Sequence, residues 1–363
     1  MKEKRVDIVL FGVGNVGSTL IKQLEQAKEH IKQSQNLNIT IQIVANSRKA
    51  LFEEIKGFHQ WKSQFEADAI SYAVDDIVHY AKQNAFENSI AIDATASKEF
   101  VQNYTRLIEG GFHIVSANKI ANTLEYGFYD DLRKILKENN KDFKYETNVG
   151  AGLPIIETIQ NLHDSGENIT RIRGVFSGSL SFIFNEFSTS DKTFSEVLQQ
   201  AIANGYTEPD PREDLNGNDV ARKLLILARE LDLKNEFQDI DVQNLIPESL
   251  QEVSKDDFLS NIQLLDEEFS QLKRSQEEGH VLRYVGDLYG DLFQEKGEMK
   301  VSLVSVPESS SLGSLQGSDA MIEIFTESYG TQPMVIQGAG AGAEVTARGV
   351  FGDVLRLSKS HAL

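Results

Sequence analysis

Asp219 and Lys223 stand four residues apart at the head of NDVARKLLILARELDL, residues 218–233. On a helix this spacing brings both side chains to one side of the first turns, next to an apolar stripe of Val220, Leu224, Leu227 and Leu231. A carboxylate there can hold the ammonium, and a lysine can carry a proton to or from a reacting oxygen. The same spacing also makes an exposed ion pair worth ~0.3–0.5 kcal/mol, so spacing alone leaves both readings open. Just ahead lies GYTEPDPREDLNGN, where Gly205, Pro209 and Pro211 argue against helix and predict an irregular loop carrying Glu208, Asp210 and Asp214. A substrate with an amino group would call for a carboxylate such as Glu208 or Asp219.

What such a proton would accompany is suggested by the N-terminus. RVDIVLF (5–11) is a β-branched run of the kind that forms a buried parallel strand. Gly12, Gly14 and Gly17 follow in GxGxxG spacing, and STLIKQLEQAKEHIK then shows helical periodicity. In that order the first glycine permits a tight turn, the second lets the backbone approach a pyrophosphate, and the third lets helix pack closely on strand. The helix start supplies N–H groups and positive dipole to phosphates. The pattern points to a dinucleotide and to hydride transfer, which needs one proton given to or taken from the substrate oxygen.

Further strands are predicted at 38–45, 89–95, 112–118 and 142–147, separated by helical stretches, notably from Ser97 and from Asn122. This is the rhythm of a doubly wound parallel sheet. After the second strand, ANSRKA offers Arg48 and Lys49 and no carboxylate. That favours the 2′-phosphate of NADP over the free 2′-hydroxyl of NAD; two solvated cations are the alternative. DATAS from Asp93 and SANK ending in Lys119 fall at the carboxyl ends of strands, where open α/β sheets bind ligands. Lys119 is either a surface lysine or a cation facing the nicotinamide crevice and neighbouring Lys223.

The second half carries weaker signals. TNVGAGLPIIETI (147–159), with Glu146 before it, can coordinate a hard monovalent cation or serve as an interdomain hinge. ITRIRGVFSGSLSFIFNEF (169–187) reads as strand, turn and helix, and the turn at Ser177, Gly178 and Ser179 either offers N–H groups to a carboxylate or caps the helix. PMVIQGAGAGAEVTARGVFGDVLRL repeats strand, glycine loop and helix near the C-terminus, with Gly338, Gly340 and Gly342 open to a cofactor, and implies a helix returning to the first domain. HVLRYVGDLYGDLF, EMKVSLVSV and DAMIEIFTESY are strand-like, with alternating faces suited to a sheet shared between subunits.

The fold class expected is α/β: a Rossmann-type doubly wound parallel sheet plus an α+β substrate and dimerisation region with a mixed sheet. The divisions expected are 1–150 with 339–363 for nucleotide binding, 151–160 with 285–338 for dimerisation, and 161–284 for substrate and catalysis. A formal charge of −19 over 363 residues argues against nucleic-acid and anionic-membrane partners. The absence of cysteine excludes disulfides and thiolate chemistry, and the seven histidines show no HExxH spacing. Asp7 interrupts the N-terminal apolar run and no stretch approaches the ~20 residues of a membrane span, so a cytoplasmic location is expected.

Assembled, these segments resemble the homoserine dehydrogenases. FGVGNVG, ETNVGAGLPI, GVFSGSLSFIFNEFSTS, GYTEPDPREDLNGNDVARK and VIQGAGAGAEVTA carry the likeness, which extends over essentially the whole chain. The fourth segment is highly specific, whereas many dehydrogenases share the first. The resemblance implies reversible NAD(P)-dependent interconversion of L-homoserine and L-aspartate 4-semialdehyde, on the route to threonine, methionine and isoleucine, by a homodimer. By position it implies Lys223 as the acid/base lysine with Asp219 beside it, Lys119 assisting, and Glu208, Asp219, Gly178 and Ser179 around the substrate. Gly14, Asn15, Val16, Thr95, Ala96, Lys119 and Gly342 would line the cofactor site, together with Gly12, Gly17, Arg48 and Lys49. Glu146 and the carbonyls of Val149, Ala151 and Leu153 would hold sodium or potassium. Ser179 stands where the substrate turn commonly has threonine, and the chain ends at Leu363 without room for an appended regulatory domain. A dehydrogenase of a small polyol or sugar is the alternative enzyme. A dinucleotide-sensing regulator is the non-catalytic alternative, against which the Glu208, Asp219 and Lys223 cluster weighs.

Overall fold

The computed structural model describes residues 3–360, which form two compact units: 3–152 with 342–360, and 153–341. The first is built on seven strands: β1 (Lys4–Phe11), β2 (Leu37–Ala45), β3 (Lys49–Leu51), β4 (Ile70–Ser71), β5 (Ile90–Asp93), β6 (His113–Ser116) and β7 (Phe143–Lys144). Their order is β4-β3-β2-β1-β5-β6-β7. β2, β1, β5, β6 and β7 are parallel, whereas β3 and β4 add an antiparallel edge. The order reverses at β1, which opens a crevice outside the carboxyl ends of β1 and β5.

Val6, Ile8, Val9 and Leu10 of β1 are fully buried, because helices cover both faces of a parallel sheet. Leu20, Ile21 and Leu24 of the helix Asn15–Gln35 share one core with Ala347, Val350, Phe351, Val354 and Leu357 of the last helix, Ala343–Ser360. Asp7, the one charge in this buried run, is satisfied: its carboxylate accepts from Arg5 Nε, Thr40 Oγ1 and Gln42 Nε2 at 2.8–3.1 Å and from the Glu87 N–H at 2.7 Å.

The second unit holds β8 (Ile169–Val175), β9 (Asp241–Val242), β10 (His280–Tyr289), β11 (Glu298–Pro307), β12 (Asp319–Thr326) and β13 (Met334–Ala339), in the order β13-β12-β8-β10-β11-β9. All pairings are antiparallel except β9 with β11, so the sheet is mixed. Helices Gly178–Thr189 and Asn218–Arg229 pack against β10. Behind them Phe184, Phe187, Phe194 and Phe269 form an aromatic core, with Phe194 and Phe269 stacked at 3.7 Å. β8 also carries charged pairs with its neighbours, Arg171 with Asp287 and Arg173 with Glu323.

Several local expectations differ from the structure. The helix from Ser97 is two short pieces, Lys98–Val101 and Tyr104–Glu109. The strand expected over 142–147 pairs only through Phe143 and Lys144, and Glu146–Asn148 turns into a 3₁₀ helix. Pro211 does not keep the chain irregular; it caps the short helix Arg212–Leu215, since proline is tolerated where the first N–H groups lack intrahelical partners. The helix from Asn218 ends at Arg229, and Asp232 beyond it has φ 59°.

Asp7→Ala would leave the Arg5, Thr40 and Gln42 side chains and the Glu87 N–H without this acceptor. It is expected to destabilise the chain by about 1–3 kcal/mol, read as a lower midpoint in urea unfolding.

Candidate active site

In the first unit Gly12 and Gly17 meet the steric needs that their spacing suggested. Gly12 has φ +91°, and a Cβ there would lie 2.7 Å from the Ala94 carbonyl at the end of β5. A Cβ on Gly17 would lie 2.0 Å from the Gly12 carbonyl oxygen, so helix and turn touch backbone to backbone. Around Gly14 nothing falls within 4 Å of such an atom. Gly14 caps the 21-residue helix that begins at Asn15 and Val16, and the first turn of that helix has no acidic residue. Open space, leading N–H groups and positive helix dipole together suit a pyrophosphate.

Arg48 and Lys49 are exposed at the reversal joining β2 to β3. Both backbone N–H groups donate to Asn46 Oδ1 at 2.8 Å, which turns the chain at the carboxyl end of β2. Thr95 and Ala96 follow β5, and Lys119 opens a 3₁₀ turn after β6. One buried group orders both loops. Asp93 accepts from the Thr95 N–H at 2.8 Å, Tyr104 Oη at 2.7 Å and Asn118 Nδ2 at 3.0 Å. Asn118 Oδ1 in turn accepts from the Ile120 N–H, capping the turn that carries Lys119. Burial pushes the Asp93 carboxyl upward and the Tyr104 hydroxyl well upward. Sequence reasoning missed this network, although a carboxylate closing an apolar parallel strand was its visible sign.

Glu146, Val149 and Ala151 are buried, while Leu153 begins the second unit. Gly150 and Ala151 both have positive φ, which redirects successive carbonyls. Gly152 and Gly349 let the last helix press on this loop: Cβ atoms there would lie 2.7 Å from the Val345 carbonyl oxygen and 3.0 Å from the Ala151 carbonyl oxygen. The Glu146 N–H donates to Asp353 Oδ2 at 3.0 Å, and Arg356 pairs with Asp353 Oδ1 at 2.8 Å. Gly342 has φ +117° and precedes that helix.

In the second unit Lys223 is 9% exposed, and its ammonium is held on two sides. Asp219 Oδ2 lies 2.7 Å away, and the Phe176 carbonyl accepts at 2.7 Å. Phe176 follows β8 and leads into Ser177, whose Oγ accepts from the Leu180 N–H and caps the helix Gly178–Thr189. The turn is therefore a helix cap, and by geometry the leading N–H groups of such a helix lack intrahelical partners. Ser179 Oγ donates to Asp214 Oδ1 at 2.6 Å, and the Glu208 N–H donates to Asp214 Oδ2 at 2.9 Å. Burial raises the Asp214 pKa, with the charges of Asp219 and Glu213 adding to the effect. Lys223, Asp219, Gly178, Ser179 and Glu208 thus fall on connected segments of one unit. Gly217 (φ +75°) is required at the helix start, where a Cβ would lie 2.0 Å from Tyr284 Oη.

Residues 154–355 match the family described as Homoserine dehydrogenase, and residues 12–146 match the Homoserine dehydrogenase, NAD binding domain. The chain belongs to the homoserine dehydrogenase family. Among its relatives is the Zea mays chloroplastic bifunctional aspartokinase/homoserine dehydrogenase 1, 40% identical over 353 residues that are 96% of this chain and 38% of that one. The chain spans about two-fifths of the length of the curated relatives it matches. A Candida auris protein of unknown function has a similar crystal structure, with TM-score 0.87, 33% identity and coverage of 98% of this chain and 99% of that one. A hyperthermophilic archaeal homoserine dehydrogenase in complex with NADPH shares the fold at TM-score 0.74 and 22% identity, over 98% of each chain. Gly12 through Glu146 of the first unit are thus the family's NAD-binding domain, and the paired parallel and mixed sheets are those of its structures.

Asp353 is buried, and its carboxyl is pushed up to about 7, chiefly by burial and further by Glu146. An acid whose pKa rises on folding holds its proton more tightly in the folded chain. Its contribution to stability is therefore full below the ordinary 3.8 and lost as pH climbs through about 7. Asp353→Asn is expected to flatten the fall in stability across that window, measured as urea midpoints from acid to neutral pH.

Proposed function

We propose that the chain catalyses the reversible NAD(P)-dependent interconversion of L-homoserine and L-aspartate 4-semialdehyde. Family membership supports the reaction class. The observation that carries the residue assignment is the buried Lys223 ammonium, fixed between Asp219 and the Phe176 carbonyl beside the Ser177–Ser179 turn. In the reductive direction Lys223 Nζ gives a proton to the aldehyde oxygen of the semialdehyde; in the oxidative direction it takes the hydroxyl proton of homoserine. Asp219 orients Nζ and keeps the buried charge paired through the cycle. The leading N–H groups at Gly178 and Ser179 receive the substrate carboxylate, and Glu208 and Asp219 receive its ammonium. Lys119 assists at the nicotinamide side.

The bound nicotinamide supplies or accepts the hydride. Gly12, Gly14, Asn15, Val16 and Gly17 would hold its pyrophosphate, Thr95, Ala96, Lys119 and Gly342 would line the remainder, and Arg48 and Lys49 would select the 2′-phosphate of NADP. The open space at Gly14 and the exposed cations after β2 fit that group. A buried carboxylate at Glu146 with successive redirected carbonyls at Gly150 and Ala151 fits a sodium or potassium ion. Glu146, Val149, Ala151 and Leu153 would hold it, and it would order the loop without entering the chemistry.

The domain roles proposed are nucleotide binding for 1–150 with 339–363, dimerisation for 151–160 with 285–338, and substrate binding and catalysis for 161–284. The working form proposed is a cytoplasmic homodimer. Among the described residues no helix is long and apolar enough to cross a membrane.

Lys223→Ala is expected to lower turnover of homoserine ~10²–10⁴-fold with NADP affinity nearly unchanged. Near-normal turnover in that variant rejects Lys223 as the proton carrier. Arg48→Ala combined with Lys49→Ala is expected to raise the KM for NADP about 10-fold while leaving that for NAD nearly constant. Equal changes for both nucleotides would remove these cations from 2′-phosphate selection.

A further inference from the structure

Tyr72 has no part in the reaction as proposed, yet its hydroxyl reaches the corner that carries Arg48 and Lys49. Its Oη donates to the Asn46 carbonyl, 26 positions away, at 3.0 Å. The corner is a two-residue reversal through Ser47 and Arg48. Ala45 pairs with Ala50 in the antiparallel ladder of β2 and β3, and the Asn46 N–H donates to the Lys49 carbonyl at 2.9 Å. In an ordinary reversal of this kind the Asn46 carbonyl would accept the Lys49 N–H in return. Here the side chain does so: Asn46 Oδ1 accepts from both the Arg48 and the Lys49 N–H at 2.8 Å. The backbone carbonyl is thereby released from the turn, and Tyr72 holds it instead. Burial pushes the Tyr72 hydroxyl above its ordinary value, so it stays protonated and remains a donor.

The corner is fastened on every side. The Gly12 N–H donates to the Ala45 carbonyl at 2.9 Å, which bonds it directly to the glycine turn after β1. Ser71, the residue before Tyr72, pairs with Lys49 across β3 and β4. At the far end of β3, Tyr80 Oη on the helix Val74–Gln83 donates to the Phe52 carbonyl at 3.0 Å. A strand of three residues is thus pinned by a tyrosine at each end. Against this fixed backbone the Arg48 and Lys49 side chains are exposed, and among the described residues neither has a hydrogen-bond or ion-pair partner. Both lose rotamer freedom when a ligand orders them, and a fixed corner limits what is left to order.

The residue type at 46 decides the charge of the corner. Aspartate would accept the same two N–H groups in the same shape, but a carboxylate at the end of the second strand is what dinucleotide folds use to bind a free 2′-hydroxyl. The amide makes the turn without that charge.

We infer that Tyr72 and Asn46 are specificity-determining positioning residues: together they clamp the corner after β2 so that Arg48 and Lys49 meet a 2′-phosphate with no carboxylate between them. The inference rests on the proposed role of those two cations in selecting NADP.

Equilibrium titration of the full chain with NADPH and with NADH, read by the fluorescence of the reduced nicotinamide, tests it. Tyr72→Phe removes only the donor. The Kd for NADPH is expected to rise about 3–10-fold and that for NADH to stay within about twofold. Asn46→Asp keeps the turn and adds the charge, and should weaken NADPH about 10-fold or more while leaving NADH unchanged or tighter. In a chain that also carries Arg48→Ala and Lys49→Ala, Tyr72→Phe should add little for NADPH, because it acts through those cations. An unchanged Kd for NADPH in either variant, equal losses for the two nucleotides, or full additivity in the triple variant would each overturn the inference. Should Asn46→Asp fail to fold, the split between NADPH and NADH in Tyr72→Phe decides alone. If Arg48→Ala with Lys49→Ala shifts both nucleotides equally, the cation reading falls and this inference with it. If that pair weakens NADPH alone and Tyr72→Phe does not, only the inference falls. Failure of the unaltered chain to bind NADPH would refute the function proposed above together with both.

Discussion

Burying the Lys223 ammonium is the constraint from which the rest of the second unit follows. A desolvated cation is costly unless it is paired and hydrogen-bonded. Here one partner is local, Asp219 a turn earlier on the same helix, and the other is distant, the Phe176 carbonyl. That carbonyl is available because β8 ends at Val175 and the chain leaves the ladder there. Holding strand end and helix together requires close packing. A Cβ on Gly286 would lie 2.8 Å from the Phe176 ring and 3.3 Å from Val220, and Gly217 admits the Tyr284 hydroxyl at the helix start. Tyr284 is itself tied to the Gln243 carbonyl at 2.6 Å. The mixed sheet thus acts as a jig that sets one ammonium against one carbonyl.

The first unit uses the same economy with a buried anion. Asp93 closes β5 and is satisfied by a backbone N–H, a hydroxyl and an amide, each on a segment that must be placed. The Thr95 turn and the Asn118–Lys119 turn inherit their positions from that single carboxylate and the rigid strands beneath it. Loops carry the proposed function in both units, while regular elements supply the precision.

What the sequence revealed was what backbone sterics and short range dictate. The GxGxxG glycines were legible because each answers a local need for space, and Gly12 and Gly17 show that need in their close backbone contacts. The Asp219 and Lys223 pair was legible because helical spacing is local. Short strands such as β3, β4 and β9 gave no periodic signal, since two or three residues cannot show an alternation. The tie of Asp214 to Ser179 and that of Asp353 to the Glu146 N–H depend on tertiary folding across 35 and 207 positions. Pattern reading identifies such residues as polar and cannot give their partners. The short helix after Pro211 was misread for a related reason: proline forbids the interior of a helix, and the chain used it at an end.

The net charge of −19 poses a problem for a protein proposed to bind a phosphorylated cofactor and a substrate carboxylate. Long-range electrostatics repel both, so attraction has to be local and short-ranged. Backbone at two helix starts suits that need. Two helices begin immediately after small-residue turns at the carboxyl ends of strands, Asn15–Gln35 after β1 and Gly178–Thr189 after β8, and neither carries an acidic residue in its first turn. An acid there would stabilise the helix through its dipole and through the leading N–H groups. It would also occupy the place an anionic ligand needs. Leaving those positions to Asn15, Val16, Gly17, Gly178, Ser179 and Leu180 gives up a few tenths of a kcal/mol of helix stability at each end. In the function proposed, an anion brought from solution would take that place, and a strongly acidic chain would bind it there through backbone rather than through a basic surface.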